Sequence, residues 1–508
     1  MRNILVCMLV TLVSFFFTSS VLAAYNQTQS DIEKKIYLVE HGLKTGIEVK
    51  NQAIRMNILD RMNYYKIPSV SLAIINHGKI EWAKTYNINN EEILTPKTLF
   101  QAASISKPFT AIVALSLVES NKLSLDRNVN DMLSTWKVPD NKYTEIEKVT
   151  LRRLLSHTAG LTVHGFEGYS SSLTEQDLPS IIQILNGEKP ANSPRVEPNN
   201  IPGTAYSYSG GGYIVAQKMM EEVTQAKFSD LVHKIVFNPI KMESSTFELI
   251  WPTNTNRSIA TGHLKDGTPV KGAWNLYPET APAGLWSTPS DLARFVIDIQ
   301  NTFEGKSEKI ISTKMMQQML TPQPNSHMGL GFKLKQLNKH IIEFSHGGSN
   351  VGYKADLVGF TKTGQGVVIM TNADRGTKIL PEIERSVADT YHWPQGYTDQ
   401  YKIVQPVTID PAIYQNYVGK FEIDDAQLSE PDIIILSINN NKLFVTLPFP
   451  AHENKIFELT PESETEFFNV AGDFELSFTP GNNNELTIAG MKAHRLIVTA
   501  AAQVGVEG

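Results

Sequence analysis

The sequence predicts an α/β chain of the α+β kind, in two parts: a mixed domain of helices and strands, then a small all-β barrel. Three observations carry this. Ser69–Ile75 and Ile80–Ala83 are rich in β-formers and flank Asn76-His77-Gly78-Lys79, the pattern of an antiparallel hairpin. Residues 108–120 are apolar nearly all round (Phe109, Ile112, Val113, Leu115, Leu117, Val118), and such a helix needs a large core to bury it. Near residue 400 the composition shifts to short β-rich runs divided by turn residues.

In chain order, residues 1–23 read as a secretory signal peptide: Arg2 supplies the positive start, Ile4 to Phe17 the apolar middle, and Val21-Leu22-Ala23 a small-residue cleavage site. The apolar run is short for a span of ~20 residues, and no charged stop follows it. Cleavage is therefore expected. It leaves no stable membrane anchor and an exported protein, periplasmic or extracellular, of bacterial type. Cys7, the one cysteine, lies in this segment, so the mature chain has neither disulfide nor thiol nucleophile.

Residues 31–66 carry apolar residues at helical spacing (Ile32, Ile36, Val39, then Ile54, Met56, Leu59) and are expected to be helical. After the hairpin and the buried helix, Thr288 followed by Pro289 caps a helix over Asp291–Ile299. Gly366–Met370 reads as a core strand. Trp393-Pro394-Gln395-Gly396 and Pro406 bracket a linker at 401–408 between a domain at 24–400 and a barrel at 409–500. Barrel strands are expected at Ile433–Ile438, Leu443–Leu447, Lys455–Leu459, Glu466–Asn469, Phe474–Phe478 and Glu485–Ile488.

The chemistry begins at Ser104-Ile105-Ser106-Lys107. A chain of 508 residues should hold about two S-x-x-K matches by chance, and this one holds two, the other being Ser134-Thr135-Trp136-Lys137. Context separates them. On a helix, residues three apart share a face, so Lys107 can reach Ser104. A serine hydroxyl attacks poorly until a base takes its proton, and burial beside an apolar helix lowers a lysine pKa enough to supply one. Pro108 confines Ser104 to the helix start, where free N–H groups face incoming negative charge. The competing reading is a capping serine beside a surface lysine.

Two distant clusters favour the chemical reading. Tyr206-Ser207-Tyr208-Ser209-Gly210-Gly211-Gly212 places phenols before a glycine run that lets backbone approach a ligand. Ser345-His346-Gly347-Gly348-Ser349-Asn350 follows the β-rich Ile341–Phe344 and is expected to end that strand. His157, between Ser156 and Thr158, is assigned a structural role.

Together the three clusters resemble the serine β-lactamase-related hydrolases: class C β-lactamases, low-molecular-weight penicillin-binding proteins, related esterases and S12-type, D-aminopeptidase-like peptidases. Ser104–Lys107 matches the first family element, Tyr208-Ser209-Gly210 the second and His346-Gly347-Gly348 the third. Thr98-Leu99-Phe100, Leu154–Leu161, Ala283–Thr288 and Gly329-Leu330-Gly331-Phe332 match in the family's order. The tail from Tyr414 to Phe421 resembles the lipocalin-like barrel often attached to these enzymes.

The resemblance implies a β-lactamase/transpeptidase-like fold, with an antiparallel sheet flanked by a helical region. It implies that Ser104 is acylated, that Lys107 and Tyr208 share proton transfer, and that the N–H groups of Ser104 and Ser349 hold the oxyanion. His346 and Gly348 would line the substrate site. Two positions depart from penicillin-recognising members: Gly210 stands in place of an asparagine, and His346 in place of a lysine. Fixed positive charge for a substrate carboxylate is thereby lost. The expectation is a secreted serine hydrolase acting on a peptide amide, including D-amino-acid peptides, or on an ester. The alternatives are a β-lactamase or DD-carboxypeptidase, and a non-enzyme: a penicillin-binding sensor that acylates without turnover, or a binding protein, an inactive relative whose barrel binds a partner.

Other classes lack their marks. There is no G-x-S-x-G, H-E-x-x-H, Walker or dinucleotide fingerprint, so no cofactor or metal is expected. A formal net charge of -6 and the absence of basic runs argue against nucleic acid, leaving a small molecule or peptide as the partner.

Overall fold

The computed structural model describes residues 29–88, 93–249, 257–397, 401–423, 433–447 and 455–496. The expected signal peptide lies outside them. Among the described residues no helix is long and apolar enough to cross a membrane. The chain divides into two compact units: one reaches Gly42 and resumes over Asn57–Gly396, and the other takes Leu43–Met56 with the chain from Tyr397 onward.

The first unit is built on a six-stranded antiparallel sheet. Its strands are β1 (Ser69–Asn76), β2 (Lys79–Asn87), β3 (Lys333–Gln336), β4 (Ile342–Asn350), β5 (Tyr353–Phe360) and β6 (Gly366–Thr371), in the order β2-β1-β6-β5-β4-β3. β1 and β2 form the expected hairpin, and both turn residues, His77 and Gly78, take left-handed φ values of 52° and 68°. Every residue of β1 is buried, which requires cover on both faces. Two helices pack on the sheet, α1 (Pro289–Phe303) and α2 (Gly376–Tyr391). α1 starts as the sequence predicts, with the Thr288 hydroxyl capping Asp291 N–H and Pro289 in the first turn.

The apolar stretch becomes a helix over Ser106–Glu119, buried on all sides through its first ten residues. Phe109 stacks on Phe295 of α1 at 3.9 Å between ring centroids. That contact ties this helix to the layer packed on the sheet.

The helix expected over 31–66 is broken. Residues 29–41 are helical, and Ile58–Tyr65 is a second helix capped by the Asn57 side chain. Between them, Ile47–Val49 is a strand paired in parallel with Lys402–Val404, in the second unit. Ile54 and Met56 therefore belong to no helix, and the expected linker 401–408 contains a strand. A pairing across some 350 residues overrides a local period.

The second unit holds a nearly closed nine-stranded antiparallel sheet. Its two edge strands, Ile456–Glu458 and Thr460–Pro461, are separated in sequence only by Leu459. Each of the six expected runs coincides with one of its strands, to within a residue at its ends, save that the last strand begins earlier, at Asn482. Gly419–Ile423, Thr460–Pro461 and Met491–Arg495 complete the sheet. Tyr417 stacks on Phe478 at 3.9 Å in its core.

Candidate active site

Ser104 sits in a turn between the strand Phe100–Ala103 and the helix that begins at Ser106. Ala103 ends the strand with φ at 51°, a strained value for a residue with a Cβ. The helix therefore begins two residues later than the sequence suggests. Its start is clamped to the segment 281–285. Leu285 N–H donates to Ser106 Oγ (2.9 Å), Thr110 Oγ1 donates to the Ala281 carbonyl (2.7 Å), and Lys107 Nζ donates to the Pro282 carbonyl (3.0 Å).

Lys107 Nζ also lies 3.0 Å from Ser104 Oγ. The side chain is buried, and burial alone lowers its pKa from 10.5 to about 7. Near neutral pH a large fraction of the amine thus carries a lone pair one hydrogen bond from the Ser104 hydroxyl. The second S-x-x-K tetrad has no such arrangement: Lys137 Nζ bonds the carbonyls of Asn130 and Leu133, and the Ser134 N–H bonds Glu222.

Tyr208 stands just before the helix Gly210–Thr224, which Ser209 caps. Lys107 Nζ is 4.8 Å from the centroid of its ring. Burial pushes the phenol up to about 12, while a hydrogen bond with Ser104 pulls the other way. The phenol is thus neutral at pH 7, able to relay a proton and not to act as a standing phenolate. His157 fixes its position. The imidazole stacks on Tyr208 at 4.2 Å, and its Nδ1 accepts the Ser209 N–H at 3.1 Å. Burial and the charge of Lys107 hold His157 neutral. Its role is to position Tyr208, and its sequence signal was weak because the contact spans fifty residues.

His346 lies within β4, and the cluster Ser345–Asn350 forms the last six residues of that strand, as expected. The two glycines keep strand register, Gly347 opposite Asp356 and Gly348 opposite Ala355. Gly348 serves a close approach instead: a Cβ there would lie 2.2 Å from the Ala102 carbonyl, just before the nucleophile. The neighbouring β3 pairs with β4 only as far as Ser345, which leaves the rest of that edge unpaired. Ile342 bonds toward the β5 side, at Thr361. Strand alternation then turns the Ser349 N–H to the open edge. The Ser104 N–H donates to no group among the described residues. Both therefore remain available to an incoming oxyanion.

The His346 imidazole is buried, and its Nδ1 donates to the Gly347 carbonyl at 2.7 Å, since a carbonyl can only accept. Burial, and then the nearby Lys107 charge, lower its pKa to about 3. It is neutral at pH 7 and offers no fixed positive charge. Among the described residues no group of three or more His, Cys, Asp and Glu is arranged to hold a metal ion. Sequence reading missed the Pro282 carbonyl, although the adjoining Ala283–Thr288 match pointed to that segment.

The chain is 25% identical over 436 residues to penicillin-binding protein 4* of Bacillus subtilis, covering 81% of this chain and 88% of the relative. Its fold is similar to that of an octameric penicillin-binding protein homologue from Pyrococcus abyssi, with a TM-score of 0.53, 19% identity, and coverage of 86% and 98% of the two chains. It is also similar to the D-amino acid amidase of Ochrobactrum anthropi, with a TM-score of 0.50, 21% identity, and coverage of 66% and 95%. Residues 54–392 match the family model described as Beta-lactamase. That match spans the buried lysine, its serine, the tyrosine and the glycine-rich strand alike, so the chain belongs to the Beta-lactamase family of serine hydrolases.

Proposed function

We propose that the chain is an exported serine hydrolase that cleaves a peptide amide, including amides of D-amino acids, or an ester, through an acyl-enzyme on Ser104. The observation that carries this is the 3.0 Å contact between Lys107 Nζ and Ser104 Oγ in a site that holds the amine near neutrality. Ser104 Oγ adds to the substrate carbonyl as its proton passes to Lys107 or through Tyr208. The oxyanion collects between the N–H groups of Ser104 and Ser349, each worth ~3–4 kcal/mol in comparable sites. The same groups return the proton to the departing amine or alcohol, and water then releases the acid.

Neutral His346 supports a preference for amides and esters over β-lactams, whose carboxylate calls for a cation. The amidase neighbour is in line with this reading as a likeness of fold alone.

The test is fluorophosphonate labelling with a screen of p-nitrophenyl esters, D-amino-acid p-nitroanilides and nitrocefin, on wild type and Ser104→Ala. The expected result is labelling at Ser104, turnover of esters or anilides, and slow nitrocefin hydrolysis. Full activity in Ser104→Ala would remove Ser104 as nucleophile. Nitrocefin turnover at β-lactamase rates would overturn the substrate preference. A label that persists would point to a sensor.

A further inference from the structure

The segment Val163–Gly168 joins the two sides of the candidate site. On the tyrosine side its backbone caps the helix that follows Tyr208. Gly210 and Gly211 N–H donate to the carbonyls of His164 and Val163, each at 3.1 Å, and Ser209 Oγ donates to the Thr162 carbonyl at 2.8 Å. On the strand side the Glu167 carbonyl accepts from Asn275 Nδ2 at 3.0 Å and from the Tyr277 hydroxyl at 3.4 Å. That hydroxyl accepts the N–H of Val351, one residue beyond β4, at 3.1 Å. The Asn275 carbonyl in turn accepts from Gln101, three residues before Ser104, at 2.7 Å. The segment therefore links the helix after Tyr208 to the far end of β4, and through Asn275 to the strand that leads into Ser104.

Phe166 stands midway along this bridge. Its ring is half-buried, and a Cβ on Gly210 would lie 2.8 Å from ring atom Cε2. The ring and a side chain at 210 exclude each other, so the glycine and the phenylalanine act as one feature. The His164 ring, 4.8 Å from that of Tyr208, extends the same wall. His346 is neutral, and Glu167, the one acidic side chain on the bridge, is exposed.

We propose that Phe166 lines the acyl subsite beside Tyr208 and selects substrates whose acyl side chain is apolar or aromatic. A charged side chain there would be stripped of water with no partner, whereas an apolar one covers the ring. The inference rests on the acyl-enzyme reading above.

The test compares kcat/KM for phenylpropionyl and acetyl p-nitrophenyl esters in wild type, Phe166→Ala, Phe166→Leu and Gly210→Ala. Wild type should favour the phenylpropionyl ester. Phe166→Ala should cut that preference by about tenfold or more, the usual worth of a few pocket carbons. Phe166→Leu should retain most of it, which separates lost contact from a damaged fold. Gly210→Ala, by displacing the ring, should shift the ratio in the direction of Phe166→Ala. Fluorophosphonate labelling of each variant shows whether the nucleophile is intact. Labelled variants with an unchanged ratio, or equal losses on both esters, would overturn the proposal alone. A wild type that is neither labelled nor active would overturn the acyl-enzyme reading and this inference with it.

Discussion

Replacing Lys107 by methionine should make the first unit more stable at pH 7 while abolishing acylation. Burial holds the ammonium from its usual 10.5 down to about 7. At about 1.4 kcal/mol per pH unit of difference, a protonated Lys107 costs the fold about 5 kcal/mol. The sign follows from linkage. The folded pKa is depressed, so the unfolded chain binds the extra proton between pH 7 and 10.5. Stability is complete above 10.5, declines as pH falls, and levels off below 7. At pH 7 most of the cost remains, and between pH 7 and 9 the wild type recovers about 2 kcal/mol of it. Methionine removes the cost but loses the hydrogen bonds to Ser104 and Pro282, about 1 kcal/mol each. The variant should therefore be more stable by about 2 kcal/mol at pH 7 and about equal at pH 9. The assay is urea unfolding followed by tryptophan fluorescence. All six tryptophans precede residue 397, so the signal reports on the first unit alone. Curves for wild type and variant that stay parallel from pH 7 to 9 would refute the buried, proton-poor lysine.

Four further outcomes follow from the same geometry. The kcat/KM profile should rise with pH around a midpoint near 7 as Lys107 loses its proton, and Lys107→Arg should erase both the rise and most of the rate, since a guanidinium stays protonated. Tyr208→Phe should lower kcat by ~10²–10⁴ while leaving that midpoint in place, checked by steady-state kinetics on the preferred ester. Gly348→Ala drives a Cβ to within 2.2 Å of the Ala102 carbonyl, so labelling of Ser104 should slow by about tenfold or more while circular dichroism stays unchanged. Glu279 is fully buried, its carboxyl oxygens meet no hydrogen-bond partner beyond the residue itself among the described residues, and burial raises its pKa to about 8. Its contribution to stability is intact below 4.5 and is lost as pH rises to 8, so the advantage of Glu279→Gln should widen by about 1.4 kcal/mol per pH unit between 5 and 8 in urea unfolding.

What was legible in the sequence was local. The β1–β2 hairpin needs only two β-rich runs and the residues between them, and the Thr288–Pro289 start of α1 needs only four. The reach of Lys107 to Ser104 is one turn of chain. Legibility failed where distant chain intervened. Residues 42–57 carry apolar spacing near that of a helix, but Ile47–Val49 pairs with Lys402–Val404 instead. Ser345–Asn350 reads as a strand end, and β4 does end at Asn350, but the close pass of Gly348 by Ala102 leaves no local sign. Phe166 carried no signal at all, since its relation to Gly210 exists only once its loop and the start of the helix Gly210–Thr224 are in place.

The sequence by itself determined the family, the candidate residues and their order, because spacing along a helical turn or a strand is set by backbone geometry. Tertiary structure decided their chemical state. Lys107 can shed its proton near pH 7 because the core strips its water, and His346 is uncharged because burial and the neighbouring Lys107 charge disfavour its second proton. Desolvation is a property of everything packed around a group, and no tetrad of residues contains it.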